Sequence, residues 1–204
     1  MDGTLWDSAE GVAAAWTEIV QKEYDKERVI SLKDVQGVMG LTMDKIADIF
    51  FPDLEKTKRQ ALLDRCCVYE NEYLSKHGGI LYPDLEDTLK KLQKDYDLFI
   101  VSNCQVGYIE SFLEYYGFGH YFKDIECYGN NGLQKGENIR KIVERNHLLK
   151  AVYVGDIQGD YDATMEAGLP FIHAAYGFGT VNGQVEKINS FREMPEAAGR
   201  IFQK

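Results

Sequence analysis

Four places along the chain carry polar residues whose types and spacing could do chemistry. The first is Asp2-Gly3-Thr4-Leu5-Trp6-Asp7-Ser8, and the second is Ser102-Asn103, directly after the apolar run DLFIV. The third is Lys135 in the loop Gly132-Leu133-Gln134-Lys135, and the fourth is Gly155-Asp156-x-x-x-Asp160, after the run AVYV. A lysine and a serine brought to one place can stabilise charge on an oxyanion, and carboxylates beside them can move a proton or hold a hard cation. Each also has an ordinary explanation. Ser102 suits a helix cap or turn, Lys135 a solvated surface, Asp156 a helix N-terminus, Asp160 and Asp162 a wet helix face, and Asp2-Gly3 a tight turn. Their common placement favours chemistry. All four clusters fall at the end of a predicted strand or in a loop on the same side, where an open parallel sheet holds its ligands.

The elements that must position them fall into two groups. From Ser8 to Lys76 the pattern is helical, with Val12, Trp16, Ile19 and Val20 on one side of a first helix capped by Ser8. Ser31 and Thr42 each open a short helix, and residues 54–76 form a long amphipathic one with Leu54, Ala61, Leu62, Cys66, Tyr69 and Tyr73 at helical spacing. His77-Gly78-Gly79 ends this half as a hinge. Beyond it, strands at 97–101, 125–128, 151–154 and 171–174 alternate with helices at 105–116, 137–146 and 160–167. Short apolar runs separated by helices imply a parallel sheet, hence a Rossmann-like α/β fold with a helical insertion. The expected division is a core of residues 1–8 and 79–204 with a helical cap of residues 9–78. Residues 181–204 read as a linker and a closing helix.

Composition narrows the function classes. Lys plus Arg number 23 against 33 Asp plus Glu, a formal charge of −10. Such a surface repels nucleic-acid backbones and anionic lipid, so neither is an expected partner. Cys66, Cys67, Cys104 and Cys127 form no C-x-x-C, and His77, His120, His147 and His173 are scattered. Reduced thiols, no apolar run of about 18 residues and no signal-like start point to a soluble cytoplasmic protein, monomeric by default.

The four clusters together resemble the motifs of the haloacid-dehalogenase (HAD) superfamily, in its helical-cap, phosphoglycolate-phosphatase-like branch. That family's first motif is Asp-x-Asp-Gly-Thr-Leu, usually followed by x-Asp-Ser, and the chain reads Met1-Asp2-Gly3-Thr4-Leu5-Trp6-Asp7-Ser8. Its second motif matches Ser102-Asn103, its third Lys135, and its fourth Gly155 to Asp160 with Ala167-Gly168 after the helix. Leu81-Tyr82-Pro83 matches the return from the cap. The likeness runs from Met1 to about Gly179.

The resemblance implies an Mg²⁺-dependent phosphatase acting on a small phosphorylated metabolite through an aspartyl phosphate. The nucleophile would be the first Asp of the first motif, expected immediately upstream of Met1 on an apolar central strand. Asp2 would serve as general acid and base, and its carbonyl with Asp156 and Asp160 would hold Mg²⁺. Gly3, Ser102, Asn103 and Lys135 would bind the phosphoryl group, and residues 1–204 alone are expected to be nearly inactive. A non-catalytic protein binding Mg²⁺, a phosphorylated ligand or a partner is the alternative, and a phosphomutase is a second. A dehalogenase would leave the acids without a role, and a response-regulator receiver has no such helical insertion. Thr42, Lys45 and Trp6 are candidates for touching the substrate, with capping, solvated surface and core packing as competing explanations.

Overall fold

A computed structural model describes residues 1–203. The chain opens with β1 (Trp6–Asp7) and continues through α1 (Ala9–Glu23), α2 (Leu32–Val38), α3 (Met43–Phe50) and α4 (Lys56–His77) to β2 (Ile80–Leu81). Then follow α5 (Leu85–Leu92), β3 (Leu98–Ser102), α6 (Tyr108–Tyr116), β4 (Phe122–Cys127), α7 (Tyr128–Asn131) and α8 (Lys135–Arg145). The last elements are β5 (Tyr153–Gly155), α9 (Gln158–Glu166), β6 (Phe171–Ala174), β7 (Glu186–Ile188) and α10 (Met194–Phe202).

Local chemistry accounts for some of the boundaries. A capping box opens α2: Ser31 Oγ accepts the Asp34 amide while Asp34 accepts the Ser31 amide. Ser8 occupies the N-cap position of α1, but its hydroxyl is spent elsewhere and Asp7 accepts the Ala9 amide instead. Thr42 precedes α3 without a capping bond, its hydroxyl buried and unpartnered. Three short strands lay outside the sequence pattern. β1 and β2 pair antiparallel across the base of the helical segment, and β7 extends the sheet within the stretch expected to be a linker. Strands of two or three residues are too short to leave a period-two signature.

Every pairing among β3–β7 is parallel, β3 with β4 and β5 with β6 and then β7. β3 and β5 are not joined. Both line a cleft of about 720 Å³, with Leu98, Ile100, Val152 and Val154 among its apolar walls and Thr4 and Leu5 at one end. Each strand therefore presents an unpaired edge to it, a costly arrangement for backbone donors and acceptors.

Trp6 is fully buried, with its ring edge-on to Tyr108, Phe112 and Tyr116 at centroid distances of 5.7, 5.0 and 6.2 Å. It is a core residue joining β1 to α6, which removes it as a substrate contact.

Candidate functional site

Asp2, Ser102, Asn103, Lys135, Asp156 and Asp160 line one cavity of about 70 Å³, between the strand ends and the helical segment. Ser102 closes β3, Lys135 opens α8, and Asp156 and Asp160 flank the turn from β5 into α9. The alternation of strand and helix sends all these ends to one side, as right-handed crossovers on a parallel sheet require.

Asp2 is fixed by two hydroxyls. Ser8 donates to its Oδ1 at 2.8 Å and Tyr108 at 2.6 Å. Burial, reinforced by the Asp2 charge, raises the Tyr108 phenol well above its usual range, so it stays a donor. Gly3 is the turn that brings this loop onto the acids. Its φ is +71°, and a Cβ there would lie 2.0 Å from Asp156 Oδ2. Gly3→Ala is accordingly expected to cost at least about 1–2 kcal/mol from the left-handed backbone alone. It should also displace Asp156, and urea unfolding reads the first effect.

Lys135 and Asp160 form a buried ion pair, Nζ to Oδ1 at 2.5 Å. Burial opposes both charges, but each holds the other. The Lys135 ammonium rises above its usual range and the Asp160 carboxyl falls below its own. Asp160 Oδ2 also accepts the Asp156 amide at 3.0 Å, so both of its oxygens are engaged. Asp162, by contrast, sits on the exposed face of α9.

Asp156 is buried and differently served. Its Oδ2 accepts the Phe178 amide at 2.8 Å, while Oδ1 has no protein partner among the described residues. Desolvation first, and the Asp160 charge second, push its carboxyl up to about 6. A buried carboxylate short of donors in a cavity wall suits a hard cation. Among the described residues, no three His, Cys, Asp or Glu side chains converge as a metal-ligating group. The donor set therefore fits a cation held by one or two carboxylates with water and backbone oxygen, the usual mode for magnesium. His173 lies beneath the site, its Nε2 donating to the Asp156 carbonyl at 3.2 Å.

The helical segment closes over this cavity. Asn103 Nδ2 donates to the Gly40 carbonyl at 2.9 Å, and a Cβ on Gly40 would meet Ile157 Cδ1 at 2.3 Å. Of the expected substrate contacts in that segment, Thr42 is buried away from the cavity and Lys45 is exposed outside it.

Two residues of the site escaped the sequence pattern. No spacing marks Tyr108. Glu70 did leave a signal, because it falls on the buried stripe Leu63, Cys66, Cys67 and Leu74 of α4, where a charge is out of place. Its carboxylate accepts Trp16 Nε1 at 2.5 Å and lines the cavity. Desolvation pushes it from 4.5 up to about 7. A carboxyl raised on folding binds its proton more tightly in the native state, so its stabilising effect is lost as pH climbs from 4.5 through 7. Relative to Glu70→Gln, the wild type should lose on the order of 3 kcal/mol across that window. Urea unfolding of both proteins between about pH 4 and about pH 8 checks it, and a pH-independent difference would refute it.

Comparison with known proteins agrees with this arrangement. Residues 1–174 match the family described as haloacid dehalogenase-like hydrolase. A phosphoglycolate phosphatase of Aquifex aeolicus is 26% identical, covering 91% of this chain and 86% of its own. One from Shigella boydii is 27% identical over 87% and 80%. In fold, the chain is similar to a haloacid dehalogenase-like family hydrolase from Streptococcus pneumoniae, with a TM-score of 0.80 at 21% identity over 96% and 94% of the two chains. It is also similar to CbbY from Rhodobacter sphaeroides, solved in complex with phosphate, with a TM-score of 0.77 at 16% identity over 95% and 93%. With the match spanning most of its length and the acids, serine and lysine gathered in one cavity, the chain belongs to the haloacid dehalogenase-like hydrolase family.

Proposed function

We propose that this protein is a magnesium-dependent phosphatase of small phosphate monoesters, phosphoglycolate- or sugar-phosphate-like, working through an aspartyl phosphate. The observation that carries the reading is the convergence of Asp2, Ser102, Asn103, Lys135, Asp156 and Asp160 in one cavity. The names of the curated relatives, phosphoglycolate phosphatases, point the same way.

In this reading residues 1–8 and 79–204 form the catalytic core and residues 9–78 a cap over it. The nucleophile is an aspartate immediately upstream of Met1, on a strand that fills the cleft between β3 and β5. The unpaired edges and apolar walls of that cleft support this assignment. The carboxylate attacks phosphorus in line, forming a P–O bond as the ester P–O bond breaks. Asp2, held by Ser8 and Tyr108, gives its proton to the departing alkoxide and later takes one from the attacking water. Ser102 and Asn103 bind phosphoryl oxygens, while Gly3, expected to join them, gives its amide to the Trp6 carbonyl at 3.0 Å and serves by shaping the loop. Lys135, anchored by Asp160, offsets the phosphoryl charge. Asp156, the Asp2 carbonyl and, through water, Asp160 would hold Mg²⁺, which supplies electrostatic stabilisation of the transferring group. Free, buried cysteines are in keeping with a reducing cytoplasm. No helix among the described residues is long and apolar enough to cross a membrane.

The test is phosphate release from a panel of monoesters by protein purified from its natural source, with its intact mass measured alongside. Release that needs Mg²⁺ and stops with a chelator is the expected result. A protein that binds phosphate and Mg²⁺ yet releases none, at a mass equal to residues 1–204, would overturn the catalytic reading.

A further inference from the structure

The cap side of the cavity differs from the core side in one respect. Val12, Trp16, Val38, Met43 and Phe50 make it an apolar wall, interrupted by the Glu70 carboxylate. Among the described residues, Lys135 is the one lysine or arginine that lines the cavity, and it is bonded to Asp160 on the core side. The other ionisable side chains there are Asp2, Asp156, Asp160, Glu70, Cys104 and Tyr108, none of them a cation. Nothing on the cap side can neutralise a second anionic group on a bound ester. Like charges brought together in such a site cost several kcal/mol.

Resting on the phosphatase reading, we propose that Glu70 selects the leaving group. This narrows the two substrate types of that reading to the sugar-phosphate-like one: phosphate esters of small alcohols whose far end carries a hydrogen-bond donor, a hydroxyl or an ammonium, and not the carboxylate of phosphoglycolate. Glu70 is the acceptor the cap side offers: Trp16 Nε1 bonds its Oε2 and the Gln105 amide stands beside it, while the rest of the cap-side lining is apolar. The apolar wall excludes water from that contact and so raises its selectivity. Size sets a second limit. A cavity of about 70 Å³ that must also take the phosphoryl group leaves room for a leaving group of only a few heavy atoms. A carboxylate end, as in phosphoglycolate, would face Glu70 with no cation beside it.

The test uses the protein purified from its natural source, with Mg²⁺ and at about pH 8.5 where Glu70 is ionised, and reads affinity as product inhibition by inorganic phosphate and as KM for 2-aminoethyl phosphate, 2-hydroxyethyl phosphate and phosphoglycolate. The amino or hydroxy ester, or both, should bind at least about tenfold tighter than phosphoglycolate. Glu70→Gln should erase that difference while leaving inorganic phosphate binding unchanged. A change in stability with no change in ester preference would mean a purely structural role for Glu70 and overturn the inference. Phosphate binding with equal affinity for all three esters, or a preference for phosphoglycolate, would overturn the inference and leave the phosphatase reading standing. Failure of phosphate and every ester to bind would overturn both.

Discussion

Extending the chain upstream of Met1 by an aspartate and an apolar strand is expected to raise phosphate-ester turnover about a million-fold over residues 1–204 alone. Catalytic groups that act as a set lose nearly everything when the nucleophile is absent, because no remaining residue stands where it stood. Thr4 and Ser8 are no substitutes: Thr4 is buried with an unpartnered hydroxyl, and Ser8 is committed to Asp2. The same extension should stabilise the fold. The cleft between β3 and β5, about 720 Å³ with unpaired edges on both sides, would gain two ladders of backbone hydrogen bonds. Stopped-flow or steady-state phosphate release on the two forms measures the first effect, and urea unfolding the second. Equal turnover by the two polypeptides would refute the upstream nucleophile. Equal stability would refute the strand.

Lys135→Ala is expected to produce the largest loss of stability of any single change in the site, about 3–5 kcal/mol. The substitution leaves Asp160 ionised and buried with its partner gone, and the cost of an uncompensated buried charge exceeds that of the lost attraction itself. Asp160→Asn in the same background should recover part of the loss by removing that charge, while phosphate binding stays impaired because its cation is still missing. The two readouts separate the roles of the pair. Chemical denaturation follows the fold, and phosphate titration follows the site. A Lys135→Ala protein of wild-type stability would mean that the ion pair is solvated.

How much of this was legible beforehand depended on the range of the interactions involved. Strand and helix positions from β3 to β6 follow from alternating apolar runs and helical spacing. Those patterns are local and survive in a bare sequence. Helix ends set by a neighbouring side chain, as at Ser31, were legible for the same reason. Ser8 was misleading, because a residue 100 positions away, Tyr108, joins it in binding Asp2 and draws its hydroxyl from the helix end. The buried face of α4 was only half visible. Leu62 and Cys66 were placed correctly, whereas Ala61 is exposed and Glu70 takes a place in the stripe.

By itself the sequence placed Ser102, Lys135, Asp156 and Asp160 on one side of the parallel strands, since each ends a strand or begins the helix that follows one, and set Asp2 in a loop on that side. Tertiary structure decided what each is bonded to. Lys135 meets Asp160 across 25 positions, Trp16 meets Glu70 across 54, and Asp2 meets Tyr108 across 106. Trp6 went to the core and Glu70 to the cavity for the same reason. Partners that distant in sequence are chosen by how whole elements pack and by which buried polar groups are left needing a donor, an acceptor or a counter-charge. No local pattern encodes that choice.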